Sequence, residues 1–167
     1  QLNISKIYKC REGDYYPEDY FPKTGKDIEE MYQKIKKYIS SIKDINLRLL
    51  AESFFVTDEK FVKKFKSHSA AKSVHHSFIG GLLEHTLSVV NLCDYYAANY
   101  PIINRDLLIS AALLHDIGKM EELSAFPRND YTDKGQLLGH IFIGANMVSE
   151  KIKEMVCFPD KLASELI

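Results

Sequence analysis

The stretch AALLHDIGKMEEL, residues 111–123, decides the fold class and raises the question of function. It overlaps an apolar run, DLLISAALL at residues 106–114, which predicts a helix buried on most of its sides. His115 and Asp116 interrupt that run, and Gly118 marks the expected end of the helix. Because buried ionisable groups without partners cost several kcal/mol, hydrogen bonds or a metal ion must satisfy this pair.

The rest of the chain shows the same helical periodicity. Apolar residues recur every three or four positions, which is the spacing of amphipathic helices, and the alternation typical of strands is missing. The predicted helices cover residues 27–42, 46–56, 58–65, 78–100, 104–117 and 137–155. Residues 124–135 are predicted to form a loop. We therefore predict an all-α fold.

The N-terminal residues 1–25 differ from the rest of the chain. They contain two prolines, two glycines and four tyrosines, a composition typical of an extended arm or linker. Residues 26–167 are predicted to form one helical domain, since a chain of 167 residues suits a single domain. The sequence does not begin with methionine, so we expect it to be cut from a longer protein.

The overall composition excludes several classes of protein. The net charge is −1, so attraction to nucleic acid or to a membrane would need a local basic patch. No apolar run is long enough to span a bilayer. The three cysteines Cys10, Cys93 and Cys157 are widely spaced, which predicts neither a disulfide framework nor a thiolate zinc site. We therefore expect a protein of the reducing cytoplasm.

Two histidines and an aspartate form a candidate metal site. His85 and His115 lie on the apolar stripes of two different predicted helices. Together with the Asp116 carboxylate they offer the ligands of a catalytic divalent metal such as manganese, iron, zinc, nickel or cobalt. A lone inward histidine is more often a core residue, but an adjacent pair of inward His115 and Asp116 favours the metal interpretation.

Two further residues extend this candidate site. His140 follows Gly139 at the start of the last long helix, so Asp116 could bridge two metals if His140 holds the second one. Lys119, just past the end of the earlier helix, could reach a phosphate oxygen. Alternatively, Lys119 and Asp116 could form an ordinary ion pair that the helix dipole favours.

Other residues are candidates for contacts with a substrate. Tyr131, in the predicted loop, could stack on a base. His75 and His76 precede a Gly-Gly turn, and we take His76 as the candidate that lines a substrate pocket. The lysines of residues 60–76 could guide a nucleic-acid strand, although a solvated helix face is an equally good interpretation.

These residues resemble the HD superfamily of metal-dependent phosphohydrolases, which is named for the pair seen here at positions 115 and 116. Three segments are similar, more narrowly, to the YhaM-type 3′-to-5′ exoribonucleases of Gram-positive bacteria: GGLLEHT at 80–86, ALLHDIGK at 112–119 and YTDKGQLLGH at 131–140. The upstream HSAAKSVHHSFIGG at residues 68–81 fits the same group, and the resemblance covers roughly residues 1–155.

The resemblance implies a fold, a set of ligands and a reaction. It implies that residues 26–167 form an HD-domain helical bundle, which we expect to continue beyond Ile167, and that an OB-fold domain precedes it. The implied metal ligands are His85, His115 and Asp116, with His140 for a second metal and Lys119 near the scissile phosphate. The implied reaction is attack by a metal-activated hydroxide on the 3′-terminal phosphodiester of single-stranded RNA or DNA. It would release nucleoside 5′-monophosphates, with manganese as the usual metal.

Other functions stay open alongside this one. An HD phosphohydrolase of a small nucleotide would keep the same metal site, and the near-neutral net charge favours a small substrate. A catalytically incomplete HD scaffold would bind a nucleotide or a partner helix without hydrolysis. The sequence leaves the oligomeric state open.

Overall fold

A computed structural model describes residues 3–11, 14, 20–74 and 76–167, and the regular structure of these ranges is helical. The helices are α1 (Ile28–Ser41), α2 (Ile45–Glu52), α3 (Glu59–Ser67), α4 (Gly81–Asn99), α5 (Arg105–Leu114), α6 (Lys119–Glu122), α7 (Asp133–Lys153) and α8 (Asp160–Leu166). A π-helical turn, Ser53–Thr57, extends α2. Within the described ranges the chain forms isolated bridges but no strand. The predicted all-α fold is confirmed.

Two helices begin where the sequence predicts a capping residue. The side chain of Asn104 accepts a hydrogen bond from the backbone N–H of Leu107 at the start of α5. The side chain of Asp58 does the same for the N–H of Phe61 at the start of α3. Each cap satisfies a backbone donor that the helix itself leaves unpaired, which typically stabilises a protein by about 1 kcal/mol.

Other predicted boundaries were wrong. Helix α5 ends at Leu114 rather than at residue 117, because residues 115–118 turn through short hydrogen bonds such as the one from Lys119 N–H to the Asp116 carbonyl. Helix α7 begins at Asp133 rather than at residue 137, since Thr132 accepts a hydrogen bond from the N–H of Gly135. Helices α6 and α8 were not predicted.

The core lies between the first five helices and supports the later ones. Helix α4 packs mainly against α5 and also against α1, while α6 packs against α7. The largest fully buried side chains come from α1 to α5, the residue after α1, the π-helical turn and the turn after α5: Ile35, Ile39, Ile42, Leu47, Leu50, Phe55, Phe65, Leu82, Leu83, Ile109, Leu113 and Ile117. This packing fixes α4 beside the end of α5, where the candidate ligands lie.

The N-terminal segment meets the helical part near the start of α4. Residues 3–11 are exposed and contain no helix. The backbone of Thr24 donates to the Ile79 carbonyl at 3.0 Å, and that of Ile79 donates to the Pro22 carbonyl at 2.9 Å. The division of the chain at residue 25 stays a prediction, and much of residues 12–19 lies outside the described residues.

Two general expectations concern membranes and cysteines. Among the described helices, none combines the length and the apolar character that crossing a membrane requires. The three cysteines are free thiols: Cys10 and Cys157 are exposed and Cys93 is half-buried.

Candidate metal centre

Three of the predicted ligands converge between the end of α5 and the first turns of α4. Oδ2 of Asp116 lies 3.2 Å from Nε2 of His85 and 3.3 Å from Nε2 of His115. The two imidazole nitrogens are 3.2 Å apart. All three ligand atoms lie within 4.8 Å of one another, and the described residues contain no other such group. Imidazole nitrogens and a carboxylate oxygen at this spacing suit a divalent transition metal.

The ligands differ in exposure, which partly corrects the sequence-based expectation that both members of the His–Asp pair face inward. The side chain of Asp116 is only 6% exposed, whereas that of His115 is 34% exposed. His115 is exposed because α5 ends one residue earlier, so its ring projects from a turn into a cleft. The site therefore has a buried anion beneath imidazoles that solvent and substrate can reach.

The position of His85 depends on how α4 begins. Gly80 has a positive φ of 83°, which glycine adopts without strain. A Cβ atom on Gly81 would lie 1.9 Å from the carbonyl oxygen of His76, so only glycine allows this approach. Next to His85, the carboxylate of Glu84 accepts a hydrogen bond from Thr24 and forms an ion pair with Lys26 at 2.9 Å. These contacts hold the first turns of α4 in place.

The tautomer of His115 is set by its own turn. Its Nδ1 lies 2.8 Å from the carbonyl oxygen of Ala112. A carbonyl oxygen only accepts, so Nδ1 carries a proton and donates it. In the neutral ring this leaves the lone pair on Nε2, the atom that faces Asp116, free to bind a metal.

The pKa values of the pair reflect the balance between burial and hydrogen bonding. Burial alone would raise the pKa of Asp116, but hydrogen bonds from His115, His85 and Lys119 hold it far below its usual range. Burial would lower the pKa of His115, yet the hydrogen bond and the charge of Asp116 outweigh this effect and raise it. Asp116 is thus an ionised ligand, and a metal that binds His115 competes with a proton for the ring nitrogen.

His140 approaches the same aspartate from the other side. Its Nε2 lies 3.5 Å from Oδ1 of Asp116, while the other two histidines approach Oδ2. The residue follows a break in α7 at Gly139, which has a φ of 72°. Both carboxylate oxygens of Asp116 therefore face imidazole nitrogens, so His140 could hold a second metal ion together with Oδ1.

The other candidate residues lie at different distances from the three ligands. Nζ of Lys119 lies 2.8 Å from Oδ2 of Asp116, so the lysine is at the site and forms the ion pair considered as the alternative. The ring of His76 lies 5.5 Å from that of His85, centroid to centroid. Tyr131 is exposed, and the Nζ atom of Lys72 lies 5.7 Å from the centroid of its ring. His75 lies outside the described residues.

Glu122 also belongs to the site, although no sequence pattern indicates it. Its carboxylate lies 2.9 Å from Nδ1 of His140, on the side of the ring that faces away from Asp116. Glu121 and Glu122 are adjacent in the sequence, and no spacing distinguishes the buried one from the exposed one. Only the packing of α6 against α7 reveals which glutamate belongs to the site.

A cleft of about 380 Å³ opens beside the ligands. Its walls include His115, Asp116 and His140 together with apolar side chains of α7 and α8. Clefts of this size are typical of small-molecule sites.

Comparisons with known proteins identify a family and several relatives. The HD domain family model matches residues 82–166. The chain is 35% identical to a 3′-5′ exoribonuclease YhaM of Geobacillus sp. over 93% of its own length and 47% of the relative. The protein of the same name from Bacillus velezensis is 33% identical, and that from Listeria monocytogenes 35%, each over 93% of this chain and 49% of the relative.

These matches confirm the resemblance predicted from the sequence. The chain spans about half the length of the curated relatives it matches. No solved structure matches the chain significantly.

Proposed function

Because the chain belongs to the HD domain family, we propose that it is the catalytic part of a metal-dependent 3′-5′ exoribonuclease. The observation that carries the proposal is the convergence of His85 and His115 on one oxygen of a buried aspartate. The similarity to proteins named 3′-5′ exoribonuclease supports the choice of substrate. The products would be nucleoside 5′-monophosphates from single-stranded RNA or DNA.

The residues present fit a divalent metal. His85, His115 and Asp116 would hold one ion, and His140 with the second oxygen of Asp116 would hold another. When bound, such ions supply a nucleophile from water at neutral pH and neutralise charge on a phosphoryl group. Imidazole and carboxylate donors suit manganese, which we propose as the native metal, and also iron, zinc, nickel or cobalt.

Other side chains would bind and orient the substrate. Lys119 would place its ammonium near a non-bridging phosphate oxygen, since its Nζ already lies beside the ligand aspartate. His76 would contact the substrate from the α4 side, because its ring lies next to that of His85. Tyr131 would stack on a base further along the strand, as its exposed ring allows.

A second candidate function is hydrolysis of a small nucleotide at the same metals. The cleft has the size of a small-molecule site, which favours this function. The net charge of −1 also favours it, because a nearly neutral chain does not attract a long polyanion such as RNA. The catalytically incomplete scaffold is the third candidate, and it differs from both in predicting no hydrolysis.

The location, the neighbouring domain and the oligomeric state of the protein are also proposed. We propose a cytoplasmic location, based on the three free cysteines. An OB-fold domain upstream and assembly into oligomers are further parts of the proposal, and they rest on the resemblance alone.

The test compares the chain with its Asp116→Asn variant, using Asp130→Asn as a matched control. Asp130 is an exposed aspartate that pairs with Lys72 at 2.7 Å. Metal content is measured after incubation with Mn²⁺ and dialysis, and single-stranded RNA labelled at its 5′ end is then digested. We expect stepwise shortening from the 3′ end and release of 5′-monophosphates for the chain and the control only.

Other outcomes would favour another function or contradict the proposed site. Hydrolysis of free nucleotides with intact RNA would favour the small-nucleotide enzyme. Bound metal without hydrolysis of either substrate would favour the scaffold. Equal metal content in Asp116→Asn and in the unsubstituted chain would contradict the proposed site.

A further inference from the structure

Glu122 at the end of α6 forms two contacts with His140. Its Oε1 accepts a hydrogen bond from the backbone N–H of His140 at 2.9 Å. The same oxygen lies 2.9 Å from Nδ1 of the His140 ring. Glu122 is buried, with 9% of its surface exposed. Burying a carboxylate costs free energy unless hydrogen-bond donors satisfy it, and these two contacts supply such donors for Glu122.

The backbone contact follows from the break in α7. Gly139 leaves the helical conformation, so His140 begins a new helical segment. The first N–H groups of a helical segment have no intrahelical acceptor. The carboxylate of Glu122 supplies one from a neighbouring helix, and it thereby holds the backbone of His140 at the break.

The ring contact determines the tautomer of His140. A carboxylate oxygen accepts hydrogen bonds, so Nδ1 carries the proton and donates it to Glu122. In the neutral ring Nε2 then has a free lone pair, and this atom faces Oδ1 of Asp116 at 3.5 Å. A carboxylate behind a metal-binding histidine orients the ring and makes it a stronger ligand.

The backbone of Glu122 is also fixed against α7. Its carbonyl oxygen accepts a hydrogen bond from the N–H of Thr132 at 2.9 Å. A Cβ atom on Gly135 would lie 2.2 Å from that oxygen, so the two segments touch at a glycine. The carboxylate is therefore held at a defined distance from the helix that carries His140.

We propose that Glu122 is a positioning residue that fixes the ring orientation and the tautomer of His140, so that Nε2 is presented to a metal shared with Asp116. The inference rests on the proposed function, in which His140 binds the second metal. It adds a residue that acts through His140 without touching the substrate.

The test uses two variants and a matched control. Glu122→Leu removes the acceptor, and Glu122→Gln keeps a weaker, uncharged one. Glu121→Gln is the control, because Glu121 is the adjacent glutamate on the same short helix and pairs with Lys134 instead. Folding of each variant is checked by circular dichroism and thermal unfolding.

The first measurement is made on metal-free protein. Nitrogen-15 NMR of labelled histidines, at about pH 8 and so above the ordinary histidine pKa of about 6.5, reports which ring nitrogen is protonated. We expect a proton on Nδ1 of His140 in the unsubstituted chain and in Glu121→Gln. In Glu122→Leu we expect the proton to move toward Nε2. An unchanged tautomer in a folded Glu122→Leu variant would overturn the proposal.

The second measurement is the affinity for Mn²⁺. We expect the equivalent bound through His140 to be about 10- to 100-fold weaker in Glu122→Leu, with a smaller loss in Glu122→Gln. If Glu122→Leu does not fold, an unchanged affinity in Glu122→Gln overturns the proposal. If the unsubstituted chain binds no metal, the proposed function fails. The tautomer comparison on metal-free protein still decides whether Glu122 fixes the tautomer of the His140 ring.

Discussion

The ammonium of Lys119 lies 2.8 Å from Oδ2 of Asp116, the same oxygen that faces His85 and His115. A cation beside a metal-ligating oxygen repels the metal, so we expect this lysine to weaken metal binding. The charge stabilises the buried Asp116 carboxylate, and in the proposed reaction it would also serve a phosphate oxygen of the substrate.

Replacing Lys119 with methionine should therefore affect metal binding and hydrolysis in opposite directions. The affinity for Mn²⁺ should stay equal or rise, because a repulsive charge is removed. Hydrolysis should fall about 100-fold or more, the usual effect of losing one group that stabilises transition-state charge. Metal titration and single-turnover hydrolysis of RNA measure the two effects.

The control for this prediction is Lys134→Met. Lys134 is a half-exposed lysine that pairs with Glu121, so its removal should change neither quantity. A parallel loss of metal affinity and of hydrolysis in Lys119→Met would contradict the prediction and leave the lysine a structural partner of Asp116.

Gly118 allows the turn after the His–Asp pair to touch α7. A Cβ atom on this residue would lie 2.0 Å from the carbonyl oxygen of His140 and 2.6 Å from the backbone nitrogen of Gly144. We expect Gly118→Ala to lower the free energy of unfolding by about 1–3 kcal/mol, the usual cost of forcing an extra carbon into a packed site. Denaturant unfolding measures the change.

Gly25→Ala provides the comparison, because no atom lies within 4 Å of a Cβ at that position. It should leave the stability nearly unchanged. An equally stable Gly118→Ala variant would show that α6 and α7 can separate without cost. The close approach of Gly118 to the backbone of His140 and Gly144 would then not be needed to fix the distance between His140 and Asp116.

The all-α fold was predictable because helix formation follows local patterns. The candidate ligands His85, His115 and Asp116 could be chosen because the HD superfamily that the sequence resembles pairs a histidine of one helix with the His–Asp pair of a later one. The period of apolar residues placed His85 on a helix, and the HD pair interrupts an apolar run in a way that few structural roles explain. Capping residues such as Asn104 and Asp58 also act within their own turns, so the sequence alone predicts them.

The remaining features of the site depend on contacts between segments far apart in the sequence. The role of Glu122 exists only because α6 packs against α7 at a break in the helix. The exposure of His115 follows from the early end of α5, which no pattern in the run of leucines and alanines indicates. The base-stacking role of Tyr131 stays a prediction, because the position of its exposed ring beside Lys72 also depends on contacts between distant segments.

His68 should make the stability of the protein depend on pH. The residue is buried at the end of α3, and its Nδ1 lies 3.0 Å from the Ser69 carbonyl. Burial lowers the pKa of His68, and backbone carbonyls offset this effect only in part. The unfolded chain therefore binds this proton more readily than the folded one, so stability is lost as the pH falls below the unfolded pKa of about 6.5 toward the folded value.

The measurement is the free energy of unfolding of the unsubstituted chain and of His68→Leu over a series of pH values. Comparing the two removes the contribution of all other titrating groups. The difference between them should be constant above about pH 6.5 and should shift in favour of His68→Leu at lower pH. A difference independent of pH would contradict the assignment of this effect to His68.

The lysines of α3 allow a test of whether the protein binds a nucleic-acid strand. Lys66 pairs with Glu29, and farther along the chain Lys72 pairs with Asp130. The exposed lysines of this helix that form no ion pair within the described part of the chain are Lys60, Lys63 and Lys64. Unpaired exposed lysines on one helix are available for phosphate contacts, although a solvated surface would look the same.

Replacing these three lysines with alanine should weaken binding of single-stranded RNA and reduce its dependence on salt. Each phosphate interaction that the substitutions remove should make the slope of log affinity against log salt concentration less steep by about 0.7. Fluorescence anisotropy without added metal measures the slope in the absence of hydrolysis. The control removes three lysines of α1, Lys34, Lys36 and Lys37, which changes the net charge equally. Equal slopes in the two triple variants would mean that α3 is an ordinary solvated face, and the small-nucleotide function would then gain support.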